Sequence, residues 1–358
     1  MHTENLVVGL GIAGINLCHQ LEKQGKSFIV TDPCPSHSAS LIAGGIYNPI
    51  AIKRKIKSWK ADELFPFLVD AYREMEQLLE TKFLVHDFPI LKPIRSEAEL
   101  EEWQASIDKN VIQPFVDEVV RTPPIGPFHK SVIGYVIIKH SGFLRTDEAL
   151  FSYRNYLRKT GRLMEETLDF ERLSHSESEV GYGNITADRV LFCDGQAIAI
   201  NPFFKWIPMR STKGEMLTVH VNSPLEADKV YNQQFYLFPS REKNQFRLGA
   251  TYDWNNLDEI PTIAAKEELL TSVAKTLDIS LEVLNQQAAI RPNSIDRRPV
   301  LGPHPIHRNV YLFNGMGSKG VMLAPYFAKQ LVDSIYSNTE LHPEASLQRF
   351  VRKNYFSN

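Results

Sequence analysis

The chain has 358 residues, 43% of them hydrophobic, and 40 basic against 42 acidic side chains give a net charge of −2. That balance argues against a dedicated nucleic-acid binder, though not against a nucleic-acid substrate, and no apolar run approaches the ~18 residues of a membrane span. Three widely spaced cysteines, Cys18, Cys34 and Cys193, outline neither a disulfide framework nor a metal cluster.

At roughly 150 residues per domain the length predicts about two domains. The first strand is expected from near Asn5, which leaves no room for a signal peptide; a reducing, cytoplasmic setting is the expectation. The segment "LVVGLGIAGINL" (Leu6–Leu17) runs a short apolar strand into Gly9, Gly11 and Gly14 and then into a helix with Ile15, Leu17, Cys18 and Leu21 on one face. In G-x-G-x-x-G the first glycine allows the turn, the second lets a pyrophosphate approach the backbone, and the third lets helix and strand pack closely. Phosphate then meets the free N–H groups of the helix start, around Ile12 and Ala13. Gly25 ends the helix, and "SFIVTD" reads as a second strand closing on Asp32, eighteen positions beyond Gly14. An acid there suits the hydroxyls of an unphosphorylated ribose, so FAD or NAD.

"SHSAS" can cap a short helix, bringing Ser40 and then Ala43, Gly44 and Gly45 of "LIAGGIYNP" close to a ligand or to an ordinary turn. The run "KRKIKSWK" (Lys53–Lys60) is a solvated face or a steering patch for an anion. Ala61–Glu80 has helical spacing with Leu64, Phe67, Leu68, Ala71, Met75 and Leu78 inward. Thr146–Gly161 reads as a capped helix ended by glycine, and Ser174–Asn184 as a solvated hairpin or loop. "ITADRVLFCDG" is a strand ending at Cys193, Asp194 and Gly195. "MLTVHV", "QQFYLFP" and "FRLGATYDW" read as strands. Near the end of the sequence another strand meets Gly315, Met316, Gly317, Ser318, Lys319 and Gly320 and opens a second helix. A nicotinamide enzyme does not need that second helix start, whereas a reduced flavin carries negative charge that a helix N-terminus stabilises.

In this order the motifs "VVGLGIAG", Asp32, "SASLIAGGIYNP", "RVLFCDG", "KGEML", "YLFP...FRLGATY", "IRPNSIDRRPVLG" and "NGMGSKG" resemble the FAD-dependent amine and amino-acid oxidoreductases, the family of D-amino acid, glycine and sarcosine oxidases. The resemblance spans nearly the whole chain. It implies an α/β fold in which a Rossmann-like FAD-binding domain (1–80, 142–214 and 286–358) is interleaved with a mixed-sheet substrate domain (81–141 and 215–285). It implies hydride transfer from the carbon beside a substrate amine to flavin, followed by imine hydrolysis, with no acid–base dyad. The site then needs a cation for a carboxylate, and aromatic walls. Arg291 stands first, because the following Pro292 holds it extended and a guanidinium matches a carboxylate bidentately. Arg297 and Arg298 are weaker choices, solvated or paired with Asp296. Lys319 is the second cation, and Tyr236, with Tyr231, Tyr252 and Trp254, offers walls. The resemblance places Arg247 where relatives carry a lysine that speeds the reaction of reduced flavin with oxygen. An arginine there predicts a sluggish reaction, or a guanidinium committed to Asp253 or to the substrate. The relatives' flavin-linking cysteine maps near Ala289, so the FAD is expected to be non-covalent. The alternatives are a tRNA wobble-uridine aminomethyl oxidoreductase and a non-catalytic flavin-binding subunit.

Overall fold

A computed structural model describes every residue except 37, 110, 122–127, 129–130 and 357–358. Two eight-stranded sheets organise it. In the first, His2–Val8 lies between Phe28–Thr31 and Ile185–Phe192, all parallel, and Val310–Asn314 continues parallel beside Ile185–Phe192. The register aligns the strand ends: Val8 pairs with both Thr31 and Phe192, and Phe192 pairs with Leu312. Gly9, Asp32, Cys193 and the segment after Phe313 therefore emerge along one edge. In an open parallel sheet the carboxyl edge is where ligands bind. Leu6, Val7 and Val190 are fully buried, as expected for strands covered on both faces.

The strand pairs leave Ser174–Asn184 as a hairpin, Leu173–His175 against Val180–Tyr182, at the outer edge of this sheet. Helices Ile12–Lys23, Ala61–Leu79, Thr146–Lys159 and Gly320–Ser337 pack their apolar residues into one cluster with Leu10, Tyr47 and Phe83. In Ala61–Leu79 the buried set is broader than the periodicity predicts. Phe65, Val69 and Tyr72 are buried while Phe67 and Leu78 are only partly so. The reason is a second neighbour: Phe65 packs edge-on against Tyr47, and the Tyr72 hydroxyl donates to Val321 O at 2.9 Å. Thr146 is not the cap of its helix. Arg145 holds that place without a side-chain bond, and the Thr146 hydroxyl donates to Ala43 O.

The second sheet runs Leu281–Arg291, Thr212–Val221, Gln245–Gly249, Tyr236–Pro239, Val230–Asn232, Ile90–Ile94, Gly134–Ile138, Val116–Val120. It is mixed, with one parallel pair between Val230–Asn232 and Ile90–Ile94. Helix Ile263–Ala274 covers one face through Leu217, Val219, Leu237, Leu248, Leu269 and Val273. From the other face Met216 and Ala289 close on Ile42, and Met216 and Phe238 close on Gly44, so this sheet faces the segment that follows Asp32. The two longest strands, Thr212–Val221 and Leu281–Arg291, run through positions 214/215 and 285/286 without a break. They carry the second sheet directly to the edge of the first.

Candidate active site

The opening turn is built at contact distances that only hydrogen satisfies. Gly9 has φ of +94°, and a Cβ there would lie 2.6 Å from Cys193 O. A Cβ on Gly14 would lie 2.1 Å from Gly9 O. Strand, turn and helix are thus pressed together as the motif requires. Gly11 is the N-cap of helix Ile12–Lys23 and supplies no capping side chain. Ile12 N donates to Ser40 Oγ at 3.0 Å, so that hydroxyl stands against the helix start, with Ala13 buried in its first turn. Asp32 is buried; its Oδ2 accepts from Leu10 N at 2.6 Å and its Oδ1 from Cys34 N at 2.7 Å. A carboxylate has room for further donors. Arg154, which the sequence did not single out, comes within 3.5 Å of Oδ1.

A second helix start arrives beside the first. A Cβ on Gly320 would meet Ile12 Cγ2 at 2.8 Å, and helix Gly320–Ser337 also begins with no side-chain cap, on Lys319. Neither cap residue satisfies a first-turn N–H with its own side chain, although Ser40 already takes the N–H of Ile12. Cys193 is buried under Gly9 and Gly14. Asp194 is a brace: Oδ2 accepts from Asn201 Nδ2 at 2.8 Å and Oδ1 from Asn314 Nδ2 at 2.9 Å, and Asn314 also bonds Gly195 O. Burial pushes the Asp194 carboxyl up to about 6 against the lowering effect of those two amides. Asn314 Oδ1 then accepts from Gly315 N, which orients the turn through Met316, Gly317 and the exposed Ser318. Asn314 opens the motif "NGMGSKG" at the end of its strand, whereas Asn201 stands in no recognisable motif.

Gly317 N donates to Pro292 O, and Met316 bridges to Asn293, so the turn rests on the end of the strand that carries Arg291. Arg291 is partly buried. Its one side-chain hydrogen bond among the described residues runs from Nη1 to Thr251 O at 3.0 Å. Its Cζ lies 4.5 Å from the centre of the Tyr252 ring. No described carboxylate pairs with it. Burial lowers its pKa and the nearby Tyr252 raises it, but a guanidinium stays charged throughout. Its seat is Gly214, where a Cβ would fall 1.9 Å from Arg291 Nη2. The sequence reading passed over that glycine except as part of "KGEML".

Tyr236 is half-buried, with Asn48 Nδ2 directed at its hydroxyl at 3.5 Å; burial first, and then Tyr252, raises its pKa. Tyr231 belongs elsewhere, in the apolar cluster under helix Ile263–Ala274, with its hydroxyl on Glu226 O. Arg247 reaches neither Asp253 nor any other described carboxylate. Nη1 and Nη2 donate to Ala43 O at 3.1 Å and Ile42 O at 2.6 Å and tie the Gly44–Gly45 segment to the second sheet. Lys319 is exposed, and its charged neighbours are basic. Crowding by protein atoms first, then Arg298, Arg54 and Arg297, lower its pKa. Arg298 pairs with Glu344, whereas Asp296 pairs with Arg349. The basic run is largely neutralised, through Lys55–Glu102, Lys57–Asp62 and Lys60–Glu63.

Residues 5–334 match the family model described as FAD dependent oxidoreductase. The chain belongs to this family. Among similar proteins, the glycine oxidase of Bacillus licheniformis is 25% identical, over 94% of this chain and 93% of that protein. The tRNA 5-methylaminomethyl-2-thiouridine biosynthesis bifunctional protein of Leptospira interrogans is 23% identical over 97% of this chain, which spans only 61% of that protein. Among solved structures, iminodiacetate oxidase from Chelativorans sp. superposes with a TM-score of 0.79 at 17% identity, over 96% of this chain and 99% of that one. Glycine oxidase from Bacillus cereus gives 0.78 at 18%, over 94% and 96%. The protein is an FAD-dependent oxidoreductase. Its residues fit the cofactor: an uncapped helix start behind a glycine turn, a buried acid at the end of the second strand, and a second uncapped helix start alongside.

The Gly214 seat makes a direct prediction. In Gly214→Ala the new methyl displaces the flexible end of Arg291 rather than backbone, so the protein folds and retains its flavin. If Arg291 holds a substrate carboxylate, the lost charge-assisted contacts, about 1.5–3 kcal/mol, raise KM for a carboxylate-bearing amine on the order of ten-fold or more. Steady-state kinetics beside the flavin-to-protein absorbance ratio checks both halves.

Proposed function

We propose that this protein oxidises a C–N bond in a small amine that carries a carboxylate, an amino acid or an N-substituted amino acid. The observation that carries the reading is Arg291, a cation with no described carboxylate partner, seated on a glycine and walled by Tyr252. A partly buried charge without a partner costs free energy, and an anionic substrate group offsets that cost. In this reading Arg291 holds the carboxylate, Tyr236 lies beside it, the half-exposed Tyr252 covers one face of the guanidinium, and Lys319 adds positive potential at the rim. The glycine oxidase and iminodiacetate oxidase likenesses support the same substrate class.

The cofactor roles we assign follow the geometry. The Ala13 and Gly14 amides, with Ile12 and Ser40 beside them, would hold the pyrophosphate, Gly11 would leave it room, and Asp32 would take ribose hydroxyls. Ala43, Gly44 and Gly45, next to the carbonyls that Arg247 holds, would line the ring system. The Gly317–Lys319 turn and the helix start at Gly320 would stabilise negative charge on the reduced ring. FAD, when bound, supplies the two-electron acceptor for the C–N oxidation. Residues 1–80, 142–214 and 286–358 then form the FAD unit and 81–141 and 215–285 the substrate unit. Three unpaired cysteines support a reducing, cytoplasmic setting; among the described residues no helix is long and apolar enough to cross a membrane.

Anaerobic mixing with a panel of amino acids, N-methyl amino acids and tRNA bearing an aminomethyl uridine tests the reading. Bleaching of the flavin band by a free amino acid is the expected outcome. Bleaching by the modified tRNA alone would replace this reading with the tRNA one, and no bleaching by any member would favour a binding subunit. The FAD is expected to be non-covalent, because Ala289 is packed against Met216 and Ile42 and no cysteine follows Cys193. Acid precipitation should therefore leave the yellow colour in the supernatant; colour in the pellet would contradict this.

A further inference from the structure

The segment Lys213–Gly214–Glu215 does more than seat Arg291. Successive residues of a strand face opposite ways. Gly214 faces the guanidinium, so Lys213 and Glu215 face the other side of the sheet. Both are buried, at 1% and 3% exposure. A lysine buried to that degree in a strand needs a reason, because its ammonium must be fully hydrogen-bonded to be tolerated. Lys213 Nζ donates to Asp258 Oδ1 at 2.6 Å and to Ile260 O at 2.5 Å, and Glu215 Oε1 lies 3.6 Å away. Glu215 in turn accepts from Thr262 N and Thr262 Oγ1, each at 2.8 Å, and from Gln286 Nε2 at 2.7 Å.

Asp258 and Ile260 belong to one loop, 252–261, which Thr262 ends, whereas Gln286 belongs to the neighbouring strand Leu281–Arg291. The loop leaves the sheet beside Lys213 and Glu215. Asp253 exchanges both backbone hydrogen bonds with Lys213, and Thr251 exchanges two with Glu215, one through its hydroxyl. It returns to the Lys213 ammonium at Asp258 and Ile260, and at Thr262 it enters helix Ile263–Ala274, which Thr262 caps. Between these anchors the loop places Tyr252 over Arg291, and Trp254 between Arg210 and Arg297, whose Cζ atoms lie 4.9 and 5.4 Å from its ring. Just before the loop, Thr251 O holds Arg291 Nη1.

We propose that Lys213 is a positioning residue for the substrate pocket: its buried ammonium closes the base of loop 252–261 and so fixes the Tyr252 wall and the Thr251 carbonyl against Arg291. It touches neither substrate nor flavin. The proposal rests on the reading of Arg291 as the carboxylate cation. Loosening the loop leaves the guanidinium in place but widens the pocket around it, so carboxylate binding weakens more than turnover of the bound substrate does.

The test uses the flavin-loaded protein, with Lys213→Met as the main variant. Because Lys213→Met leaves the Glu215 carboxylate buried without its cation, Asp258→Ala, at the half-exposed end of the same contact, is the second variant. Two readouts are taken: amide hydrogen exchange in 252–261, and the change in the flavin absorption band on titration with acetate, with acetamide as the uncharged control. In the wild type, acetate shifts the band and acetamide does not. In Lys213→Met, exchange in the loop speeds up and the acetate dissociation constant rises about ten-fold or more, since small misplacement in a site carries large losses. Asp258→Ala shows the same pattern at about three-fold. With the amine substrate, KM rises by a larger factor than kcat falls. Loop exchange and acetate binding unchanged from wild type would overturn the proposal, as would a loosened loop with unchanged acetate binding. If Lys213→Met does not fold, Asp258→Ala decides alone by the same criteria. A wild type blind to acetate would overturn the Arg291 reading and this proposal together; a responsive wild type with equally responsive variants overturns this proposal only.

Discussion

Arg291 lies against the second sheet only because residue 214 has no side chain. A methyl there would sit 1.9 Å from the guanidinium, well inside contact distance. The rest of the substrate side is arranged around that seat. Strand Thr212–Val221 pairs with Leu281–Arg291 so that Gly214 stands beside the cation, and the residues flanking Gly214 turn to the opposite face and hold loop 252–261. One glycine thus divides the strand into a front that seats the guanidinium and a back that anchors the loop. A charge that finds no acid among the described residues is expensive in isolation. Here it receives one carbonyl and one aromatic face from the protein, which leaves most of its donors for a ligand.

The cofactor side depends on a different constraint, the convergence of two helix starts. Parallel register brings Gly9, Asp32 and Cys193 to one sheet edge. The missing side chains at Gly14 and Gly320 then let the two long helices come within contact of that edge and of each other. Each start carries the positive end of a helix dipole, and placing two together favours a molecule that is anionic at two separated points. Asp194, with Asn201 and Asn314 on its two oxygens, fixes the strand ends that carry them. Arg247 performs the corresponding task across the sheets by holding the Ile42 and Ala43 carbonyls.

Much of this was legible in the sequence where the constraint is local. The glycine turn, the acid after the second strand and the second glycine-opened helix are each defined by neighbours within a few residues, and the order of motifs identified the family. Arg291 was legible because a proline follows it. What was not legible depends on register and on distance along the chain. Tyr231 and Tyr236 are the same residue type and close in sequence, yet they occupy opposite faces, and only the pairing decides which one enters the apolar cluster under helix Ile263–Ala274. Arg247 forms no ion pair with a described carboxylate; its hydrogen-bond partners are carbonyl oxygens about two hundred residues away, and carbonyls carry no sequence signal. Lys213 and Gly214 looked like family punctuation because their partners sit on other strands and in a loop.

The central claim is that Arg291 exists to bind a carboxylate, and it can be measured as a difference. The specificity constants of the wild type and Arg291→Ala are determined on an amino-acid substrate and on the amine of the same skeleton without its carboxylate. A charged hydrogen-bond pair worth about 2–4 kcal/mol predicts that the substitution lowers the constant for the amino acid by roughly thirty-fold to a thousand-fold. It leaves the constant for the carboxylate-free amine nearly unchanged, with flavin content as in the wild type. Equal loss on both substrates, or no loss on the amino acid, would contradict the account.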